Sequence, residues 1–248
     1  MTNDLPRIAI PEPTSTDTAY NQRSLPQYIH ALISAGSIPV PIPLHEPAAG
    51  QQRLLKTCAG VLLPGSPADV DPGLYGQTRA KETAERDQLR EAADDLLLQD
   101  ALEHGKPLLG ICFGLQSLNV FRKGSLIQHL ADGSDGNVVR HDAGREILEA
   151  HPVKLAAGSR LARLVATESL AVNSSHHQAV DQPGEDLKVV AVSPNDGVVE
   201  AVEAEDPDSF LLAVQWHPER TYEQSSASRA IFGAFVDAAR RRMLAAGL

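Results

Sequence analysis

A cysteine between two glycines is the first residue whose setting suggests chemistry. Cys112 lies in Gly110-Ile111-Cys112-Phe113-Gly114, after an apolar segment and before a segment of helical periodicity. This pattern predicts a sharp strand-to-helix turn that projects the sulfur outward. The helix N-terminus beneath the sulfur favours the thiolate, the nucleophilic form of cysteine. We therefore predict that Cys112 is a nucleophile and that Cys58, which lacks this setting, is a packed core residue.

A histidine and a glutamate follow another predicted strand, over residues 211–216, in the order His217-Pro218-Glu219. Residues two apart in an extended chain point to the same side, so the Glu219 carboxylate can hold one ring nitrogen of His217. The other nitrogen then faces the Cys112 thiol. This is the arrangement of nucleophile, base and orienting acid that covalent catalysis uses.

Two backbone amides are candidates for stabilising the oxyanion that forms when a thiol attacks an amide carbonyl. The Phe113 N–H directly follows the nucleophile. Gly65 lies in a Pro-Gly turn after a buried strand, and its amide has no side chain in the way. A simple strand-ending turn is the alternative interpretation of Gly65.

A dense polar run occupies residues 173–178. It consists of Asn173, Ser174, Ser175, His176, His177 and Gln178. Such a run can recognise the amino and carboxylate groups of an amino acid, and a solvated loop is the alternative. Two adjacent histidines do not have the spacing of a metal site, and neither cysteine belongs to a Cys/His cluster, so we predict no metal site.

The elements that must position these residues alternate between strand and helix. Apolar runs predict strands at 5–10, 38–42, 60–63, 107–111, 187–192, 198–202 and 211–215. Helical periodicity is found at 25–35, 47–57, 81–104, 113–121 and 223–243. The order predicts an α/β fold, a mostly parallel central sheet with helices on both faces and the site at the carboxyl ends of its strands. The interval 122–150 lacks clear periodicity, and we expect short strands and a mobile loop there.

Length and composition narrow the class of protein. The 248 residues are 42% hydrophobic and no linker run divides them, which predicts a single domain over 1–248. The net charge of −10 argues against a nucleic-acid partner. No apolar run reaches the roughly 18 residues of a membrane helix. With two cysteines and no signal-peptide pattern, we expect a cytoplasmic protein without a membrane partner.

These motifs resemble those of the class I glutamine amidotransferases. Gly-Ile-Cys-Phe-Gly-Leu-Gln at 110–116 resembles the nucleophile motif of that family, and Gln-Trp-His-Pro-Glu at 215–219 resembles its His/Glu motif. The segments 62–76 and 172–178 look like those of the gamma-glutamyl-gamma-aminobutyrate hydrolases. The similarity covers about residues 5–240.

The resemblance implies a flavodoxin-like three-layer sandwich in which Cys112 is the nucleophile, His217 the base and then the acid, and Glu219 the orienting group. The further residues it implies are the oxyanion donors Gly65 and Phe113, and the γ-glutamyl contacts Gln116, Asn173, Ser174, Ser175 and His176. The implied reaction hydrolyses a small-molecule γ-glutamyl amide through a γ-glutamyl thioester, without a metal or organic cofactor. A homodimer is common in such enzymes.

Two other functions use the same residues. A glutamine amidotransferase subunit would deliver ammonia to a partner synthase, and a non-catalytic protein would only bind γ-glutamyl compounds. The segment 62–76 favours the hydrolase, and the whole triad counts against the binding protein. Phe113 and Arg122-Lys123-Gly124 depart from the hydrolase pattern beside the site, which leaves the leaving amine open. The acidic net charge favours a small or cationic amine over a polyglutamate.

Overall fold

The computed structural model describes residues 5–130 and 139–247, which contain a central sheet of eleven strands. The strands are β1 Arg7–Pro11, β2 Ile38–Ile42, β3 Gly60–Leu63, β4 Leu108–Ile111, β5 Leu126–Ile127, β6 His151–Leu155, β7 Ser169–Val172, β8 Ala179–Val180, β9 Leu187–Val192, β10 Val199–Ala204 and β11 Leu211–Val214. The α-helices are α1 Thr18–Ser34, α2 Ala48–Leu55, α3 Gln88–Glu103, α4 Phe113–Phe121, α5 Arg160–Val165 and α6 Ser226–Ala246. Helices α1, α5 and α6 cover one face of the sheet, and α2, α3 and α4 cover the other.

Five parallel strands, in the order β2-β1-β3-β4-β11, form the half of the sheet that positions the predicted triad. Ile111 at the end of β4 is paired with Val214 at the end of β11. Leu63 at the end of β3 is paired with Gly110. Because carboxyl ends of parallel strands lie at one edge, the segments that follow β3, β4 and β11 meet there.

The other half of the sheet is antiparallel. Strands β10, β9, β6 and β7 continue the order beyond β11, and β8 joins β5 to the edge of β10. The predicted α/β architecture with helices on both faces is confirmed. The alternating burial of β6 fits a strand with one covered face, and neither β6 nor β7 was predicted from the sequence.

Two predicted helices begin elsewhere because of N-capping aspartates. Helix α1 begins at Thr18 rather than 25, and Asp17 accepts a hydrogen bond from the backbone N–H of Tyr20. Helix α3 begins at Gln88 rather than 81, and Asp87 accepts one from the N–H of Arg90. Residues 131–138 of the expected mobile loop lie outside the described residues. Within the described ranges, no helix has the length and apolarity needed to cross a bilayer.

Candidate active site

Cys112 occupies the predicted sharp turn between β4 and α4. Its backbone has φ 54° and ψ −107°, which is a strained conformation for a residue with a side chain. A Cβ atom on Gly114 would lie 2.2 Å from the carbonyl oxygen of Leu63, and one on Gly110 would lie 3.0 Å from the Cβ of Ala213. Both glycines are therefore required for the close approach of helix and neighbouring strands that presents the sulfur.

Burial raises the pKa of the Cys112 thiol to about 12, although the charge of Arg220 and the N–H of Phe113 lower it in part. Cys112 is 7% exposed. The N–H of Phe113 at the start of α4 favours the thiolate, as expected, but burial has the larger effect and keeps the thiol protonated at rest. A neutral thiol needs a base to remove its proton as it attacks.

His217 is the base that the geometry offers. Its Nδ1 lies 2.7 Å from Oε1 of Glu219, and the two side chains are almost fully buried. Asn173 holds the backbone of the histidine by donating from Nδ2 to its carbonyl at 2.8 Å and accepting its N–H at 2.9 Å. Burial lowers the pKa of His217 against the opposing charge of Glu219, so the ring is neutral at neutral pH. With the proton on Nδ1 donated to Glu219, Nε2 carries the free lone pair.

The turn after β3 brings nucleophile and base together. A Cβ atom built on Gly65 would lie 2.9 Å from Cε1 of His217 and 3.6 Å from the Cβ of Cys112. Any side chain at position 65 would therefore push the histidine ring away from its place. The three segments predicted from the sequence meet at this one point.

The two predicted oxyanion donors, the N–H groups of Phe113 and Gly65, have different partners in the structure. The Phe113 N–H lowers the pKa of the Cys112 thiol in part, against the larger effect of burial. The Gly65 N–H donates a hydrogen bond of 3.1 Å to the hydroxyl of Tyr28. Gly65 can stabilise an oxyanion only by exchanging the Tyr28 oxygen for the substrate oxygen. That Gly65 and Phe113 act as oxyanion donors stays a prediction.

A buried arginine, which the sequence analysis missed, fixes the Gly65 turn. Arg90 is fully buried in α3 and donates to the carbonyl oxygens of Pro64 at 2.6 Å and Pro13 at 2.8 Å. Its Nε pairs with Asp94 at 2.7 Å, and its guanidinium lies 4.9 Å from the centre of the Phe113 ring. The signal in the sequence is an Arg/Asp pair four residues apart on the apolar face of a helix, where an exposed pair would be out of place.

The polar run 173–178 mainly forms hydrogen bonds with neighbouring protein groups. Gln116 donates from Nε2 to the carbonyl of Gln178 and to Oε1 of Gln215, each at 3.2 Å. The Ser174 hydroxyl donates to the His141 carbonyl at 2.7 Å. The Ser175 hydroxyl accepts a hydrogen bond of 2.8 Å from Arg220. A substrate-binding role of Gln116 and of the run stays a prediction.

Two further arginines that were not predicted from the sequence lie near the triad, and one of them, Arg220, has its Nε 3.6 Å from Oε1 of Glu219. Arg220 has a side chain only 9% exposed, and its charge acts on Cys112. Arg145 is half-buried against α1, donates to Gln27 at 2.9 Å and forms no salt bridge with the residues that the structure describes. Burial and the charges of Arg220 and Arg23 lower its pKa.

A group of side chains able to hold a metal lies in the antiparallel half of the sheet and shares no residue with the triad. Its members are His141, His151, His176 and Glu200. Of the two adjacent histidines at 176 and 177, only His176 belongs to it. His177 instead contacts Asp69 at 3.0 Å.

Comparison with known proteins gives consistent results. A family model described as peptidase C26 matches residues 8–219. A Mycobacterium tuberculosis protein, provisionally named a glutamine amidotransferase, is 41% identical over 86% of this chain and 66% of its own length. The gamma-glutamyl-gamma-aminobutyrate hydrolase of Escherichia coli O157:H7 is 37% identical over 86% of this chain and 84% of its own. A Thermoplasma acidophilum structure, provisionally described as one component of a GMP synthase, shares the fold with a TM-score of 0.66 at 15% identity, over 99% of both chains.

Proposed function

Because the chain belongs to the peptidase C26 family of class I glutamine amidotransferase-like proteins, we propose that it is a cysteine-dependent hydrolase of γ-glutamyl amides that releases glutamate. The observation that carries this proposal is the buried His217–Glu219 pair, fixed by Asn173 at the strand end beside Cys112. A strained nucleophile turn next to an oriented neutral base is suited to acyl transfer.

The proposed reaction has two halves. The Cys112 sulfur attacks the side-chain carbonyl carbon of the γ-glutamyl group while its proton moves to Nε2 of His217. The oxyanion is stabilised by the N–H groups of Phe113 and Gly65. His217 then gives the proton to the departing nitrogen, which leaves as an amine, and a γ-glutamyl thioester remains. Water, deprotonated by His217, cleaves the thioester to glutamate and restores the thiol.

Arg220 beside the nucleophile and Arg145 near Arg220 support a substrate with carboxylates on both sides of the scissile bond. Arg220 donates to Ser175 in the run predicted to hold the γ-glutamyl part, which suits the α-carboxylate. Arg145, on the side of α1, is then available for a carboxylate of the leaving amine. We therefore propose γ-glutamyl-γ-aminobutyrate, or a similar γ-glutamyl amine with an acidic leaving group. The names of several relatives agree with this choice.

We also propose a cytoplasmic location, since both cysteines are free and buried. A homodimer is proposed on the resemblance alone. Sedimentation of the purified chain tests it.

Glutamate release tests the proposed function. Full-length protein is assayed on γ-glutamyl-γ-aminobutyrate, γ-glutamylbutylamine, a γ-glutamyl dipeptide, folate diglutamate and glutamine, with hydroxylamine added to trap a thioester as γ-glutamyl hydroxamate. We expect turnover of γ-glutamyl-γ-aminobutyrate that Cys112→Ala abolishes and Cys58→Ala keeps. Glutamine hydrolysis alone, stimulated by an added synthase, would instead identify an amidotransferase subunit. Ligand binding without any turnover would identify a γ-glutamyl-binding protein.

A further inference from the structure

Three histidines and a glutamate from four separate segments meet in the antiparallel half of the sheet. His151 begins β6, Glu200 lies in β10, His176 in the run 173–178, and His141 in the segment before β6. One ligand atom from each lies within 4.8 Å of the others, and all four residues are buried. None of these side chains takes part in the proton transfers or bond changes proposed above, although His176 belongs to the run that the resemblance assigns to γ-glutamyl binding.

The outward nitrogen of each histidine is already bonded. His151 Nδ1 lies 3.1 Å from the carbonyl oxygen of Pro152, and His176 Nδ1 lies 2.9 Å from that of Gln178. A carbonyl can only accept, so each of these nitrogens carries the proton and each Nε2 keeps a lone pair. His141 donates in the same way from Nε2 to Asp196 at 3.0 Å, which leaves its Nδ1 lone pair free. Such outer partners are typical of histidines that bind metals.

The three free nitrogens converge on one carboxylate oxygen. His141 Nδ1, His151 Nε2 and His176 Nε2 lie 3.3, 3.5 and 3.7 Å from Oε1 of Glu200. Among the described residues, none of these four atoms has a hydrogen-bond partner of normal geometry. Four buried acceptors that face one another repel and lose their hydration without compensation. A cation between them removes both costs.

The spacing identifies the kind of cation. In a tetrahedral site with metal–nitrogen bonds of about 2.0–2.1 Å, neighbouring ligand atoms are about 3.3 Å apart. The distances to Glu200 are close to this edge length, and three imidazoles with one carboxylate suit zinc. We propose that His141, His151, His176 and Glu200 form a buried structural zinc site. Four protein ligands close the tetrahedron, so the site has no open position for substrate.

A metal at this site would fix the position of the run 173–178, which supports the proposed base His217. The site joins β6 and β10 to the run 173–178, in which Asn173 holds the backbone of His217. The prediction of no metal site rested on the cysteines and on the adjacent pair His176 and His177. The proposed ligands are instead spread over about a quarter of the chain, from 141 to 200.

Metal analysis of the full-length protein tests the site independently of any activity. The protein is purified without chelator and with its affinity tag removed, and its metal content is measured by mass spectrometry. We expect about one zinc per chain. After chelation, the midpoint of thermal unfolding should fall and added zinc should restore it. Co²⁺ in place of zinc should give the visible absorption of a tetrahedral site.

Three variants locate the metal. Glu200→Gln, which keeps the side-chain size, and His151→Ala should lose the zinc, whereas His177→Ala should keep it. Circular dichroism checks folding, and if His151→Ala does not fold, Glu200→Gln decides. The proposal is overturned if folded wild-type protein takes up neither zinc nor cobalt at one equivalent. It is equally overturned if Glu200→Gln retains the metal.

Discussion

The hydroxyl of Tyr28 accepts a hydrogen bond of 3.1 Å from the N–H of Gly65 and lies 3.4 Å from Nδ1 of His217. One side chain from α1 therefore contacts both the predicted oxyanion turn and the predicted base. Burial raises the pKa of Tyr28, so the hydroxyl stays protonated. In the resting state the Tyr28 hydroxyl accepts the hydrogen bond from the Gly65 N–H that the oxyanion would need.

Replacing Tyr28 with phenylalanine should separate stability from catalysis. The buried Gly65 N–H loses its acceptor at rest, which we expect to lower the free energy of unfolding by about 1–2 kcal/mol. The N–H regains a partner in the oxyanion, so kcat should rise severalfold, up to about tenfold. Urea denaturation and steady-state kinetics measure the two effects, with Tyr222→Phe as a control tyrosine outside the triad. A large fall in kcat would show that the hydroxyl itself serves the reaction.

Arg90 should act as a positioning residue for the Gly65 turn. Arg90→Met leaves Asp94 buried without its partner, so we expect a loss of about 3–5 kcal/mol in stability. The double variant Arg90→Met/Asp94→Leu removes both charges and should recover most of that stability. Its kcat/KM should nevertheless stay low, because the Pro64 carbonyl has lost its donor.

Denaturation and kinetics on the two variants decide the role of Arg90. A double variant with both stability and kcat/KM restored would show that Arg90 only neutralises Asp94. The thiol pKa, followed by the pH dependence of alkylation, should also move in the double variant if the Phe113 ring shifts. A purely structural residue would leave it unchanged.

The pH dependence of kcat/KM should report His217. Burial lowers its pKa below the ordinary value, so activity should be kept as pH falls through the ordinary histidine range and be lost only below it. The negative charge of Glu219 raises that pKa, so in Glu219→Gln the imidazolium is less favoured and the acidic limb should move to still lower pH. In Glu219→Gln the pH-independent value of kcat/KM should fall by about 10²- to 10⁴-fold, because the His217 ring loses its orienting acceptor. A limb that moves to higher pH would contradict this assignment.

The local motifs were predictable from the sequence, whereas contacts between distant segments were not. Cys112 and its two glycines lie in one pentapeptide, and His217 and Glu219 lie two residues apart, so periodicity and spacing were enough to propose them. Arg90 and Tyr28 act through backbone groups far away in sequence, which no pattern within a helix reveals. The start of α3 was wrong because Asp87 bonds Thr14 and Ser15 as well as capping the helix.

The end of α4 offers a test of backbone strain. Lys123 has φ 67° at the position after the helix where glycine is usual, with its N–H bonded to Val120 O and that of Gly124 to Asn119 O. Lys123→Gly relieves the left-handed strain of about 1–2 kcal/mol but adds backbone entropy to the unfolded chain. We expect a net gain of about 0.5–1 kcal/mol on urea denaturation.

Lys123→Ala is the matched control for this gain. It also removes the exposed ion pair with Glu185 but keeps a Cβ atom, so it should not stabilise the protein. If Lys123→Gly is no more stable than Lys123→Ala, the conformation of the backbone costs nothing here.

Arg220, beside Cys112, and Arg145, near Arg220, should discriminate between the two ends of the substrate. We compare γ-glutamyl-γ-aminobutyrate with γ-glutamylbutylamine, which lacks the carboxylate on the leaving amine. Arg145→Ala should lower kcat/KM for the first substrate by about 10- to 100-fold, the value of a charged hydrogen bond, and affect the second little. Arg220→Ala should lower both alike, because it is placed to hold the α-carboxylate that both share. Arg23 is exposed, and Arg23→Ala is the control. It removes a nearby positive charge without removing a proposed substrate contact, so kcat/KM for both substrates should change little.

Equal losses of kcat/KM on both substrates in Arg145→Ala would show that Arg145 does not contact the leaving amine. No loss on either substrate would show that Arg145 does not bind the substrate.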